Sequence, residues 1–156
     1  MPPYHVRPAT LDDVTTLVAH RLAMFTEMGH PLNVEAVELA FRRWLADQMP
    51  AGTYRAWLIE TDNREVVAGG GISVLQWPPG PDYVGGRVAY VYNVYTEPSW
   101  RHRGLAQTIM DTIHGWCRDN GIGLVGLNAS AAGQPVYESM GYRATPSPMM
   151  WAAVGS

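Results

Sequence analysis

Arg101, His102, Arg103 and Gly104 stand where a β-rich run, Val88 to Thr96, gives way to a stretch in which Leu105, Ile109, Ile113 and Trp116 recur at helical spacing. Trp100 to Ala106 therefore reads as a tight glycine turn between a strand and the start of a helix. The first N–H groups of a helix have no internal partner, and with the macrodipole they form a site for anions, above all phosphate. Gly104 has no Cβ, so ligand oxygens can come close to its backbone. Arg101 and Arg103 bring guanidinium groups that suit phosphate geometry. A phosphorylated cofactor is the chemistry this pattern points to.

In Arg101-x-x-Gly104-x-Ala106 the sequence resembles the acyl-CoA pyrophosphate signature of the GNAT superfamily of N-acetyltransferases. Pro98 precedes it, and Pro135-Val136-Tyr137-Glu138-Ser139-Met140-Gly141-Tyr142 resembles the second signature of that family. The resemblance implies acetyl-CoA as co-substrate, no metal, and transfer to a primary amine by direct attack without a covalent enzyme intermediate. It further implies an α/β (α+β) fold whose mixed, mostly antiparallel central sheet has a parallel splayed pair and flanking helices.

Residue by residue, the pantetheine arm would lie along Val94, Tyr95 and Thr96, with the Val94 N–H polarising the thioester carbonyl. His102, Arg103, Gly104, Leu105, Ala106 and Gln107 would hold the pyrophosphate through their N–H groups, helped by the Arg101 or Arg103 side chain. Tyr137 matches the tyrosine that faces the thioester sulfur, and a phenol is a competent donor to a departing thiolate. Where the family often has an asparagine seven residues earlier, this chain has Ser130, which can make one similar hydrogen bond. Glu27, Tyr92 and Glu97 are the candidates for a base. Phe25 and Met28 resemble a substrate-facing lip, although apolar helix residues serve equally as core. With period 2, Tyr90, Tyr92 and Val94 share one strand face, so the two tyrosines would line the acceptor side.

The rest of the chain supplies elements to carry these groups. Tyr4 to Arg7 reads as a strand, and Thr10-x-x-Asp13 as a variant capping box opening a helix with Leu11, Val14, Leu17, Val18, Leu22, Phe25 and Met28 on one face. Asn33 caps a second helix, in which Val37, Phe41, Trp44 and Leu45 form the stripe and Arg42 and Arg43 point to solvent. Strands follow at Tyr54 to Glu60 and Glu65 to Trp77, the latter interrupted by Gly69-Gly70-Gly71, which marks a bulge or a close backbone approach. Pro78 to Gly86 reads as a rigid loop at the rim of a site. After the helix from Arg103 to Asn120 come a strand at Ile122 to Asn128 and a short helix at Gly133 to Met140. Two last strands, near Tyr142 to Ala144 and Met149 to Val154, complete the order βααβββαβαββ within one domain over 1–156.

Composition narrows the function. The net charge of −3 opposes a general nucleic-acid binder. All 11 basic residues are arginine, which removes Schiff-base lysine chemistry and the lysine of a P-loop. Cys117 is the single cysteine and reads as a buried hydrophobe. His5, His20, His30 and His114 show no metal-ligand spacing and read as surface or structural. With no apolar run of membrane length and no leader pattern at the start, no membrane association and a cytoplasmic location are the expectations. The acceptor is a small-molecule or peptide amine of unknown identity, and the resemblance allows a homodimer. A CoA-binding or sensor module of the same fold, without efficient transfer, is the competing reading.

Overall fold

The structure, a computed structural model, describes residues 3–155. Five strands, β1 (Tyr4–Pro8), β2 (Tyr54–Thr61), β3 (Val66–Gln76), β4 (Arg87–Thr96) and β5 (Val125–Gly126), lie in chain order in one sheet. Neighbours among the first four pair antiparallel, and β4 pairs with β5 in parallel. The α-helices are α1 (Val14–Glu27), α2 (Val34–Ala51), α3 (Leu105–Asp119) and α4 (Gln134–Ser139). This is the expected class of fold. A parallel pair needs a long crossover, and α3 is that crossover between β4 and β5.

Local chemistry sets the helix ends. The Thr10 N–H donates to Asp13 Oδ2 at 2.8 Å and the Thr10 hydroxyl accepts from Asp12 N–H, so the capping box forms and a short 3-10 turn leads into α1. Asn33 Oδ1 accepts from Ala36 N–H at 3.1 Å at the start of α2. Leu105, Ile109, Met110, Ile113 and Cys117 make the buried face of α3, which packs with Trp57, Ile59, Ala68, Ile72, Ala89 and Val91 on one side of the sheet. Leu17 and Val18 of α1 and Phe41 and Leu45 of α2 meet Tyr54, Ala56 and Leu58 on the other. Each buried Leu, Ile, Val, Met or Phe side chain among these contributes on the order of 1.5–3 kcal/mol.

The three glycines do not break β3. A Cβ on Gly69 would come within 2.7 Å of Leu58, one on Gly70 within 2.6 Å of Ile109, and one on Gly71 would overlap the Tyr54 ring. Their small size lets α3 and the second core seat directly on the sheet. The irregularity sits in the partner strand: Gly69 pairs with Tyr95 and Gly71 with Tyr92, so Asn93 and Val94 together oppose Gly70. This is a β-bulge in β4, and Asn93 carries it with φ +60. Asparagine enters the left-handed region more readily than most residues.

The bulge corrects one expectation. Tyr90 and Tyr92 do share a face, their ring centroids 4.8 Å apart. Val94, displaced by the extra residue, packs with the α3 core instead, while Tyr92 packs with the α1–α2 core.

The C-terminal end differs as well. Among the described residues no strand forms at Tyr142 to Ala144 or at Met149 to Val154, so the described order is βααβββαβα. Met149, Met150, Trp151 and Val154 are 68–97% exposed, so neither a ladder nor a core gives that run a strand partner. The strand expected over 122–128 shortens to Val125–Gly126, because β4 pairs with it only at Ala89 and Tyr90. The proline-rich loop lies at the end of β4 opposite the arginine turn. There the Tyr83 hydroxyl donates to the Arg87 carbonyl and accepts from Gly123 N–H, which braces the loop against the start of β4.

Candidate functional site

Beyond Tyr90, β4 and β5 diverge. Among the described residues no strand covers the edge of β4 from Val91 to Thr96 on that side, which leaves main-chain groups next to an open gap. The gap leads to the arginine turn. His102 has φ +63 and Gly104 φ +78, so the chain reverses through two left-handed residues before α3 begins. Gly104 accepts from Thr108 N–H at 3.1 Å and offers no side-chain cap, so the first N–H groups of α3 are unmet by a capping side chain. A Cβ at Gly104 would meet nothing within 4 Å, which shows the room in front of the turn. Leu105 is buried beneath it, Ala106 half-buried, and Gln107 exposed with its amide donating to Asp111 at 3.0 Å.

Arg101 and Arg103 have different surroundings. Arg101 Nη2 donates to both carboxylate oxygens of Glu27 at 2.8 Å, and its Nε donates to the Thr96 carbonyl at 2.9 Å. Its guanidinium also lies 5.5 Å from the Tyr95 ring centroid. It clasps the end of α1 to the end of β4. Glu27 is therefore an exposed residue whose carboxylate is ion-paired with Arg101. Arg103 stacks over the Trp100 ring at 4.7 Å and is otherwise exposed at the turn.

Tyr137 projects from α4, half-buried against the α3 core, with its ring 5.8 Å from that of Tyr142. Burial pushes its pKa up, so the hydroxyl keeps its proton well past neutral pH. Ser130 Oγ accepts from Gly133 N–H at 3.0 Å and so shapes the turn into α4. Tyr142 donates to or accepts from His114 Nε2 at 2.6 Å.

On the opposite face of β4, beside the bulge, α1 and α2 enclose a cleft of ≈ 410 Å³ lined by Arg21, Val37, Ala40, Phe41, Trp44, Tyr92 and Asn93. Of the acceptor-side residues read from the sequence, Tyr92 lines it. Tyr90 stacks on Tyr92, and Phe25 lies against the Arg21 guanidinium at 4.8 Å. Met28 is 53% exposed at the end of α1 and does not line the cleft. Arg21 and Asn93 were not legible as a pair. Yet Arg21 stands four residues from both Leu17 and Phe25, on the apolar stripe of its helix, and a cation there is the signal that marks it.

His20, one residue earlier, is buried against Tyr95, with ring centroids 5.1 Å apart. Its Nε2 has no hydrogen-bond partner and stands 3.7 Å from Glu97 Oε1. Burial pushes its pKa down to about 4, so the ring is neutral at physiological pH. Among the described residues no group of three or more His, Cys, Asp or Glu is arranged to hold a metal ion. No helix among them is long and apolar enough to cross a membrane.

Residues 17–142 match the family model described as Acetyltransferase (GNAT) family. The GCN5-related N-acetyltransferase of Ralstonia eutropha JMP134 is similar at 33% identity and a TM-score of 0.88, over 96% of this chain and 98% of that one. A predicted acetyltransferase of Clostridium acetobutylicum, solved with acetyl-CoA, is similar at 26% identity and a TM-score of 0.88, over 96% of both chains. A search of curated proteins finds no match.

Proposed function

The chain belongs to the GNAT acetyltransferase family, with acetyl-CoA as co-substrate, and from that premise we propose that it transfers the acetyl group directly to a primary amine. The observation that carries this reading is the continuity of three features. The uncovered edge of β4 runs into the left-handed turn at His102 and Gly104, and the turn opens on the uncapped start of α3. A pantetheine arm can bond to the first and a pyrophosphate to the others.

In this reading Val94, Tyr95 and Thr96 hold the arm by their main chain. The N–H groups of His102, Arg103, Gly104, Leu105, Ala106 and Gln107 hold the phosphates. Arg103 is the side chain free to add charge, because Arg101 is engaged by Glu27 and Thr96. Ser130 contributes by shaping the turn before α4 and can still donate its own hydroxyl proton.

The acceptor nitrogen attacks the thioester carbon from the α1–α2 side of β4, forming the C–N bond as the carbonyl electrons move to oxygen. The Val94 N–H donates to that oxyanion. Collapse breaks the C–S bond, and the thiolate takes the proton of the Tyr137 hydroxyl. The surplus proton of the new ammonium passes to a base and returns through solvent to the Tyr137 phenolate, so the products are an amide and CoA thiol and the enzyme is restored. With Glu27 tied to Arg101, Tyr92 and Glu97 remain as base candidates. Rate comes from holding two substrates together and from polarising the carbonyl, with no covalent step on the protein.

Thiol release from acetyl-CoA in the presence of a panel of primary amines tests the reading. Catalysis predicts release that saturates with at least one amine. A protein that binds acetyl-CoA with no amine-dependent release would be a sensor instead.

A further inference from the structure

The cleft beside the β4 bulge has one formal charge, and it is positive. Arg21 lines it with Val37, Ala40, Phe41, Trp44, Tyr92 and Asn93, and none of these carries a carboxylate. The guanidinium is half-buried between Phe25, at 4.8 Å, and Phe41, at 5.0 Å. One of its N–H groups, on Nη1, donates to Asn93 Oδ1 at 2.6 Å, and among the described residues it has no acidic partner. A guanidinium cannot shed its proton to escape burial, and a buried charge without a counter-ion is costly.

The geometry is nevertheless held firmly. Asn93 is fixed by its second bond, from Nδ2 to the buried Tyr54 hydroxyl at 2.9 Å, and by its place in the bulge. Thus Tyr54, Asn93 and Arg21 form a chain of hydrogen bonds that aims a cation into an aromatic cleft. The remaining guanidinium donors form a planar fork suited to an oxyacid group.

Resting on acetyl transfer at this site, we infer that the acceptor is an amine that also bears an anionic oxyacid group, held by Arg21, on an apolar or aromatic body that lies against Phe41, Trp44 and Tyr92. The same charge disfavours acceptors that are only cationic, such as polyamines, because no acidic wall offsets it. Arg21 is thereby a specificity-determining residue, hydrogen-bonded to Asn93, the bulge residue that precedes Val94.

Matched acceptors test this: L-phenylalanine with a carboxylate, tyramine O-phosphate with a phosphate, phenethylamine with neither, and spermidine. Thiol release at saturating acetyl-CoA gives kcat/KM for each, and calorimetry in the presence of CoA gives binding separately. The inference predicts that one of the two anionic amines exceeds phenethylamine at least about tenfold, as charge-assisted hydrogen bonds imply, chiefly through KM. Which of the two leads tells carboxylate from phosphate. Spermidine should be the poorest. Arg21→Gln should bring the ratio of anionic to neutral acceptor toward one, and Arg21→Lys should restore part of it.

Should Arg21→Gln fail to fold, the acceptor ranking of the unaltered protein and the Lys variant still decide. Equal use of phenethylamine, preference for spermidine, or no binding of either anionic amine would overturn the inference. Selective binding of the anionic amines without thiol release would leave the anion site standing and refute acetyl transfer.

Discussion

Glu27 and Arg101, 74 residues apart in sequence, form an ion pair in which one guanidinium nitrogen reaches both carboxylate oxygens at 2.8 Å. Each side chain is about two-fifths exposed, at 41% and 38%, so the pair contributes little to global stability, on the order of 0–1 kcal/mol. Its consequence is positional: it fixes the end of α1 against the end of β4, where the arginine turn begins. Arg101→Ala should therefore weaken acetyl-CoA binding less than Arg103→Ala does. Calorimetric titration at two salt concentrations checks this, and the salt dependence should fall more for the Arg103 variant. A larger effect at Arg101 would mean that it leaves Glu27 for the phosphates.

Gly70 lies opposite the bulge and beneath Ile109. A methyl group there would stand 2.6 Å from Ile109 Cγ2 and 3.3 Å from Val94 Cγ2, so Gly70→Ala must push α3 or the bulge away. The expected loss is about 1–3 kcal/mol, as for other overpacked cores. It should be read as a lower urea midpoint together with weaker acetyl-CoA binding. An unchanged midpoint would show that the helix can yield at no cost.

Removing only the Tyr137 hydroxyl separates its proton from its packing. Tyr137→Phe should lower kcat by roughly a hundredfold, within the range for a positioned acid, while acetyl-CoA affinity stays within about twofold. Burial holds the phenol protonated beyond its ordinary range, so the loss should persist at mildly alkaline pH. Unchanged kcat would remove Tyr137 from the proton path.

His20 makes acid stability a readout of the core near Glu97. Its pKa is lowered to about 4 in the folded protein, against an ordinary value near 6.5, so between those values the unfolded chain binds more protons. Stability must then fall as pH drops from about 6.5 to about 4, by at most about 3 kcal/mol. The Glu97 carboxylate 3.7 Å away favours the protonated ring and brings the loss below that limit. Urea unfolding across this window should show the slope, and His20→Leu should make it shallower; an unchanged slope would remove His20 as its source. His114, whose pKa burial also lowers, adds to the slope in the same window, and Asp13 and Glu60, whose pKa values Arg7 lowers, add to it at the acid end.

Features written in local chemistry were legible in the sequence. Thr10 with Asp13, Asn33, the apolar stripe of α3 and the glycine before it each specify their own structure through nearby atoms. Features that depend on distant partners were not. Period 2 along Tyr90 to Thr96 contains no sign of the inserted residue, and only the pairing of Gly69 with Tyr95 and Gly71 with Tyr92 reveals it. Met149 to Val154 reads as a last strand in sequence, but nothing local supplies a neighbour to pair with. Similarly, nothing near Arg101 in sequence announces Glu27, 74 residues away, and nothing near Arg21 announces Asn93.

Mass analysis of the unaltered protein and its small-molecule products, with acetyl-CoA and an accepted amine, tests direct acetyl transfer most squarely. Direct transfer predicts one N-acetylated amine for each CoA released and a protein mass that does not change during turnover. An acetylated protein, or CoA released without the matching amide, would contradict it.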